Sequence, residues 1–182
     1  QWSSSAASDV YKRQTYKIKP HDPFMIVNTS ILDGVGNLLK NTDLLIENGK
    51  IKEIGVGLPT KNYRLVNGSN FWVTPGLIDV HSHMGVYPAP GTSNHSDGNE
   101  MTSPVTAEVW AEHSVWPGDP QFEKALAGGV TTLLILPGSG NLIGGRGVTL
   151  KNVPSITVQG MKFPNAPYLS LIHISEPTRQ SL

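Results

Sequence analysis

The chain has 182 residues, with 14 Lys plus Arg against 14 Asp plus Glu, so its formal net charge is zero and no basic block points to nucleic acid or an anionic membrane. Cysteine is absent, which excludes disulfides, thiolate metal ligands and a Cys nucleophile, and leaves His, Asp, Glu or a modified Lys to hold any metal. No apolar run approaches the roughly 20 residues of a membrane helix, and 19 Gly with 14 Pro favour short strands and turns over a helical bundle.

At the start, Ser4–Gln14 (SSAASDVYKRQ) reads like a translated sequencing-library adapter, and Leu169–Arg179 (LSLIHISEPTR) reads the same way at the other end. Residues 1–14 and 169–182, His173 among them, are therefore set aside from fold reasoning. On that expectation the natural start lies upstream. A cytoplasmic location is favoured, with export through a leader outside the chain left open.

Phe24–Leu32 is rich in β-formers and runs into the turn dipeptide Asp33-Gly34. Asp43–Glu47 and Lys50–Ile54 flank Asn48-Gly49, the strongest short hairpin signal, because a type I′ turn needs positive φ at both central residues. Asn67-Gly68 marks another turn before Phe71-Trp72-Val73. Residues 15–74 are expected to form part of a small antiparallel β-sandwich with a structural role.

The character changes at Pro75-Gly76. Leu77-Ile78-Asp79-Val80 reads as a strand buried on both faces, as in a parallel sheet. A long Pro, Ser, Asn and Gly-rich loop spans Gly85–Gly118, and loops of that length are usually functional. Asp119-Pro120 opens a helix as N-cap and first helical residue; Phe122, Ala125 and Leu126 give it an apolar stripe, and Gly128-Gly129 closes it. Val130–Leu136 is a second buried strand, so the segment is one βαβ unit with parallel pairing. Gly138–Gly147 is a further loop, and one or two weaker strands are expected within Val148–Met161.

His81 and His83 stand at i and i+2 near the end of the first of these strands, which puts their side chains on one face with Cα atoms about 6.5 Å apart. Two imidazoles so placed can share one cation, each about 2.0–2.1 Å from a zinc ion. Strand ends are where parallel α/β folds gather reactive groups. Asp79 shares the parity of the histidines and is a candidate to orient one of them. An H-x-H pair alone is a weak signal, since a surface pair of histidines is more common than a metal site.

Other polar residues of the long loop are His95, Asp97, Glu100, Glu108, Glu112 and His113. His95 and His113 are the candidate substrate contacts, beside the alternative of solvated loop residues. Trp110 and Trp116 either cover a pocket or pack the loop against its neighbours. In the glycine-rich loop, Arg146-Gly147 stands where a P-loop requires Lys followed by Ser or Thr, and no third glycine completes a dinucleotide fingerprint. A nucleotide site is not expected. Arg146 is a candidate for a substrate carboxylate, with a structural ion pair as the alternative.

The string VTPGLIDVHSH (Val73–His83), preceded by IENGKIKEIG (Ile46–Gly55) and followed by GGVTTLLILPGSGNLIGG (Gly128–Gly145), resembles the amidohydrolase superfamily, in particular its imidazolonepropionase-related and prolidase-related members. The resemblance covers about Phe24–Lys162. It implies an α/β fold: the first two or three strands of a (β/α)8 barrel over 75–168, joined to the sandwich segment. It implies His81 and His83 as ligands of a divalent metal, zinc above all, and hydrolysis of an amide, lactam or cyclic amide C–N bond of a small molecule by metal-activated water. The family's catalytic aspartate belongs to barrel strand eight. A full barrel takes about 250 residues, so that base and the remaining ligands are expected outside this chain. Lys151 and Lys162 come too early to be named as a metal bridge. The chain is therefore read as a fragment without turnover of its own, exposing apolar strands at an open edge, and the full protein as a possible homo-oligomer. Two alternatives stand beside this: a non-catalytic barrel acting in binding or assembly, and a free-standing β-rich metal-binding module.

Overall fold

The computed structural model describes residues 15–96 and 98–166. Lys17–Pro75 forms one compact unit, and the described residues from Gly76 to Ala166 form another together with Tyr16.

In the first unit, β1 (Phe24–Leu32), β2 (Leu38–Glu47), β3 (Lys50–Gly55) and β4 (Arg64–Asn67) form a sheet of order β3-β2-β1-β4, with the short β5 (Trp72–Val73) also on β1. Asn48 and Gly49 have φ of 51° and 71°, so the β2–β3 hairpin closes on the positive-φ turn that Asn-Gly predicts. The all-antiparallel expectation fails. After β3 the chain returns over longer connections, and β4 and β5 lie parallel to β1, which makes this a single mixed sheet. Met25, Ile31, Leu44 and Leu45 are its buried apolar residues. At Asn28, φ is 57° where β1 slips register between Ile26 and Thr29. The buried Asp43 carboxylate steadies that irregularity, accepting from the Asn28 amide at 2.9 Å and the Leu58 amide at 3.0 Å.

The second unit holds β6 (Leu77–Ser82), α1 (Pro120–Ala127), β7 (Val130–Ile135), β8 (Val148–Lys151) and α2 (Val158–Met161), with a sheet of order β6-β7-β8. β6 and β7 are parallel and joined through α1, so the βαβ unit is present. Asp119 caps α1 by accepting from the Gln121 amide, Pro120 fills the first turn, and Gly129 leaves the helix at a φ of 92°. Phe122, Leu133, Ile135, Val148, Leu150 and Met161 pack into one core with Val86, Ala111 and Val115. The chain is thus α/β.

Three expectations are corrected here. Leu77, Ile78 and Val80 are 58%, 67% and 70% exposed rather than buried, because β6 is an edge strand among the described residues. β8 is antiparallel to β7, so only β6 and β7 have the direction a barrel of parallel strands requires. The Val148–Met161 segment holds one strand, β8, as expected, and closes with the helical turn α2, capped by Thr157. The stretch from Gly85 to Gly118 is not structureless: it contains 3-10 turns at Ser93–His95 and Ala111–His113, and it bridges the glycine-rich loop at Val105–Ile143 and Trp110–Arg146. No helix among the described residues is long and apolar enough to cross a membrane.

Candidate metal centre

His81 is the penultimate residue of β6 and His83 lies one residue beyond the strand. Their ring centroids are 5.3 Å apart with planes at 79°. That distance can be tested against a shared ion. With each ring nitrogen about 2.0–2.1 Å from zinc and the centroid about 1.1 Å further, two imidazoles at a tetrahedral angle stand about 5.2 Å apart. The spacing fits.

The chemistry of the His83 donor set fits as well. Its Nδ1 lies 2.9 Å from the Leu136 carbonyl oxygen, just past the end of β7. A carbonyl only accepts, so Nδ1 carries the proton and the ring lone pair resides on Nε2, the state a metal ligand needs. The contact depends on the parallel pairing, since Leu136 also donates its amide to the Ser82 carbonyl at 2.8 Å and so brings the two strand ends side by side. The Asp79 carboxylate accepts from the His81 backbone amide at 3.0 Å, which fixes the main chain that carries the ring. His81 is exposed and His83 half-buried, so the pair opens to solvent. Two imidazoles supply fewer than the three protein ligands of a catalytic zinc site, and no group of three or more potential ligands occurs among the described residues.

The remaining candidates each make contacts of their own. His95 directs Nδ1 to the Pro90 and Pro88 carbonyls at 2.7 and 3.2 Å, and its ring is 6.3 Å from that of Trp116. His113 is exposed on the second 3-10 turn. Arg146 places its guanidinium carbon 4.8 Å over the Trp110 ring, a cation–π contact. Glu100 folds back on Thr102, whose hydrogen bonds hold its carboxyl below the usual range. Glu108 is exposed, whereas Glu112 is buried in a salt bridge with Lys162, which ties the long loop to the end of α2. Asp97, His173 and the two adapter-like ends fall outside the described residues.

Sequence reasoning missed three participants. The Leu136 carbonyl is backbone and has no side-chain signature. Tyr87, whose ring meets that of His83 edge-on at 5.8 Å and 90°, gave no signal beyond its proximity in sequence. Asp119 was legible as a helix cap, but its carboxylate also accepts from the Gly85 and Ala89 amides at 2.8 and 3.2 Å, anchoring the loop just past the histidines.

No family model matches the chain. Over 123 residues it is 35% identical to the amidohydrolase tasK of Hapsidospora irregularis, covering 65% of this chain and 12% of that protein. Over 101 residues it is 28% identical to a 5'-deoxyadenosine deaminase of Methanothrix thermoacetophila, covering 56% and 22%. The crystal structure of an amidohydrolase from Thermotoga maritima matches with a TM-score of 0.72 and 35% identity, over 78% of this chain and 37% of that one. The chain thus spans about an eighth to a fifth of the length of these curated relatives.

Proposed function

Because the chain belongs to the amidohydrolase superfamily, we propose that it is the early part of a metal-dependent hydrolase that cleaves a carbon–nitrogen bond in a small molecule, an amide, lactam or cyclic amide. On this reading β6 and β7 are the first two strands of a (β/α)8 barrel, and the sheet of Lys17–Pro75 is part of the accompanying β-sandwich. The observation that carries the proposal is the orientation of the pair: imidazoles 5.3 Å apart at the carboxyl end of a parallel strand, one with its Nδ1 proton committed to a carbonyl.

His81 and His83 would hold the ion, zinc by preference. Zinc bound there supplies Lewis acidity, which polarises the scissile group and activates water near neutral pH. This chain's own residues prepare the site. The Leu136 carbonyl keeps His83 in the ligating tautomer, and Asp79 secures the main chain at His81. Substrate contacts are proposed for His95, His113 and Arg146, which lie on the loops that follow β6 and β7. The base and the other ligands are assigned to the rest of the polypeptide. The tasK and Thermotoga names support amide chemistry, and the deaminase name supports the broader class of carbon–nitrogen bonds.

The test is made on the full-length protein. Zinc content, and zinc-dependent release of amine or ring-opened product from a panel of amides and cyclic amides, are expected in the parent and lost in His81→Ala and His83→Ala. A parent that retains zinc at the same stoichiometry without either histidine refutes the assignment.

A further inference from the structure

Tyr87 sits in a space made for its ring. An ideal Cβ built on Gly98 would lie 2.4 Å from the ring carbon Cζ, and one built on Gly138 would lie 2.2 Å from the hydroxyl oxygen. Neither glycine has the positive φ that would call for glycine on conformational grounds, so what excludes a side chain is occupied volume. At Gly138 the Asn99 Oδ1 adds to the crowding, 2.3 Å from the same built Cβ. The two glycines belong to the loops after β6 and β7, and those loops are tied together around the ring. The Gly138 amide donates to the Gly98 carbonyl at 2.7 Å, and the Gly140 amide to Asn99 Oδ1 at 2.7 Å.

The main chain of Tyr87 is equally fixed. Its amide donates to the His83 carbonyl at 3.0 Å, and its carbonyl accepts from Gln121 Nε2 at 3.0 Å, with Gln121 itself bonded to the buried Asp119. The ring meets that of His83 edge-on, with centroids 5.8 Å apart. His83 is therefore held twice: Nδ1 by the Leu136 carbonyl, which permits rotation about that bond, and the plane of the ring by Tyr87.

We propose that Tyr87, clamped between Gly98 and Gly138, is a positioning residue that sets the ring plane of His83 for ion binding. The inference rests on the metal reading of His81 and His83. Groups that orient a ligand typically change metal affinity about 10–100-fold when removed, and the same range applies to this clamp.

The experiment is a titration of the full-length protein, stripped of metal, with zinc alone in competition with a chromophoric chelator, and with cobalt alone followed by its visible absorption. Tyr87→Phe keeps the ring and is expected to retain affinity within about threefold. Tyr87→Ala is expected to weaken zinc about tenfold or more and to broaden the cobalt bands, with stoichiometry unchanged. Tyr87→Leu preserves apolar bulk and decides the matter if the alanine variant does not fold. Gly138→Ala, which crowds the ring at its hydroxyl end, is expected to weaken zinc likewise. Wild-type affinity in folded Tyr87→Leu and Gly138→Ala overturns the proposal. His83→Ala, run in parallel, separates the two readings: if it too leaves zinc unaffected, the metal assignment has failed, and if it alone abolishes binding, only the clamp has.

Discussion

Replacing Asp119 by alanine removes more than a helix cap. The carboxylate is 2% exposed and accepts four hydrogen bonds: Oδ1 from the Gln121 and Ala89 amides, Oδ2 from the Gly85 amide and from Gln121 Nε2. Loss of an N-cap costs about 1 kcal/mol. The Gly85 amide is buried and, left without an acceptor, adds about 1–3 kcal/mol, whereas Ala89 is half-buried and regains water at smaller cost. The sum is about 2–4 kcal/mol, a large share of the 5–15 kcal/mol typical of a domain. Asp119→Asn keeps one accepting oxygen and turns an NH2 toward the other pair of donors, so about half that loss is expected. Urea unfolding at low micromolar concentration, followed through Trp110 and Trp116, measures the change, and amide exchange at Gly85 and Gln121 localises it. An Asp119→Ala midpoint within 0.5 kcal/mol of the parent, on the scale of ordinary surface substitutions, would refute the reasoning, as would an unaltered exchange rate at Gly85.

Gly49→Ala is expected to destabilise the hairpin by about 1–2 kcal/mol, since φ there is 71° and the added methyl meets Ile18 at 2.2 Å; thermal unfolding of the Lys17–Pro75 unit checks it. Leu133→Ala, at a fully buried position, is expected to cost about 2–5 kcal/mol by chemical denaturation. The Asn37 side-chain amide, followed by the Val35 and Asn37 backbone amides, holds the Asp33 carboxyl below its ordinary value. Its contribution is therefore present above the unfolded carboxylate value of about 4 and is lost as pH falls through the lower folded value. Amide shifts of Val35 and Asn37 should follow that titration and lose it in Asp33→Asn. The exposed Ile78 and Val80 on the β6 edge are expected to drive self-association of the 182-residue chain. Light scattering should fall in Ile78→Lys/Val80→Lys, and a parent that stays monomeric at high concentration counts against this.

What was legible in the sequence was local. Asn48-Gly49 announces its turn because only a few residue types tolerate positive φ, and Asp119-Pro120 with Gly128-Gly129 brackets α1 because helix ends must satisfy their own backbone groups. The H-x-H pair was legible through strand parity. What was missed depends on partners far along the chain. The direction of β8 is set by β7, the burial of Leu77, Ile78 and Val80 by whether another strand lies beside β6, and the Glu112–Lys162 pair by residues 50 apart. Asp43 gave no signal either, since the twist in β1 that it steadies at Asn28 is a main-chain event.

The bond from His83 to Leu136 closes a loop of 53 residues. A peptide ending before β7 would contain both histidines, yet it would lack the carbonyl that holds the Nδ1 proton of His83. During synthesis that tautomer of His83 is thus selected only after β7 has been made and has paired with β6. On the metal reading proposed above, His83 would therefore be readied for an ion by folding and not by its mere appearance in the chain.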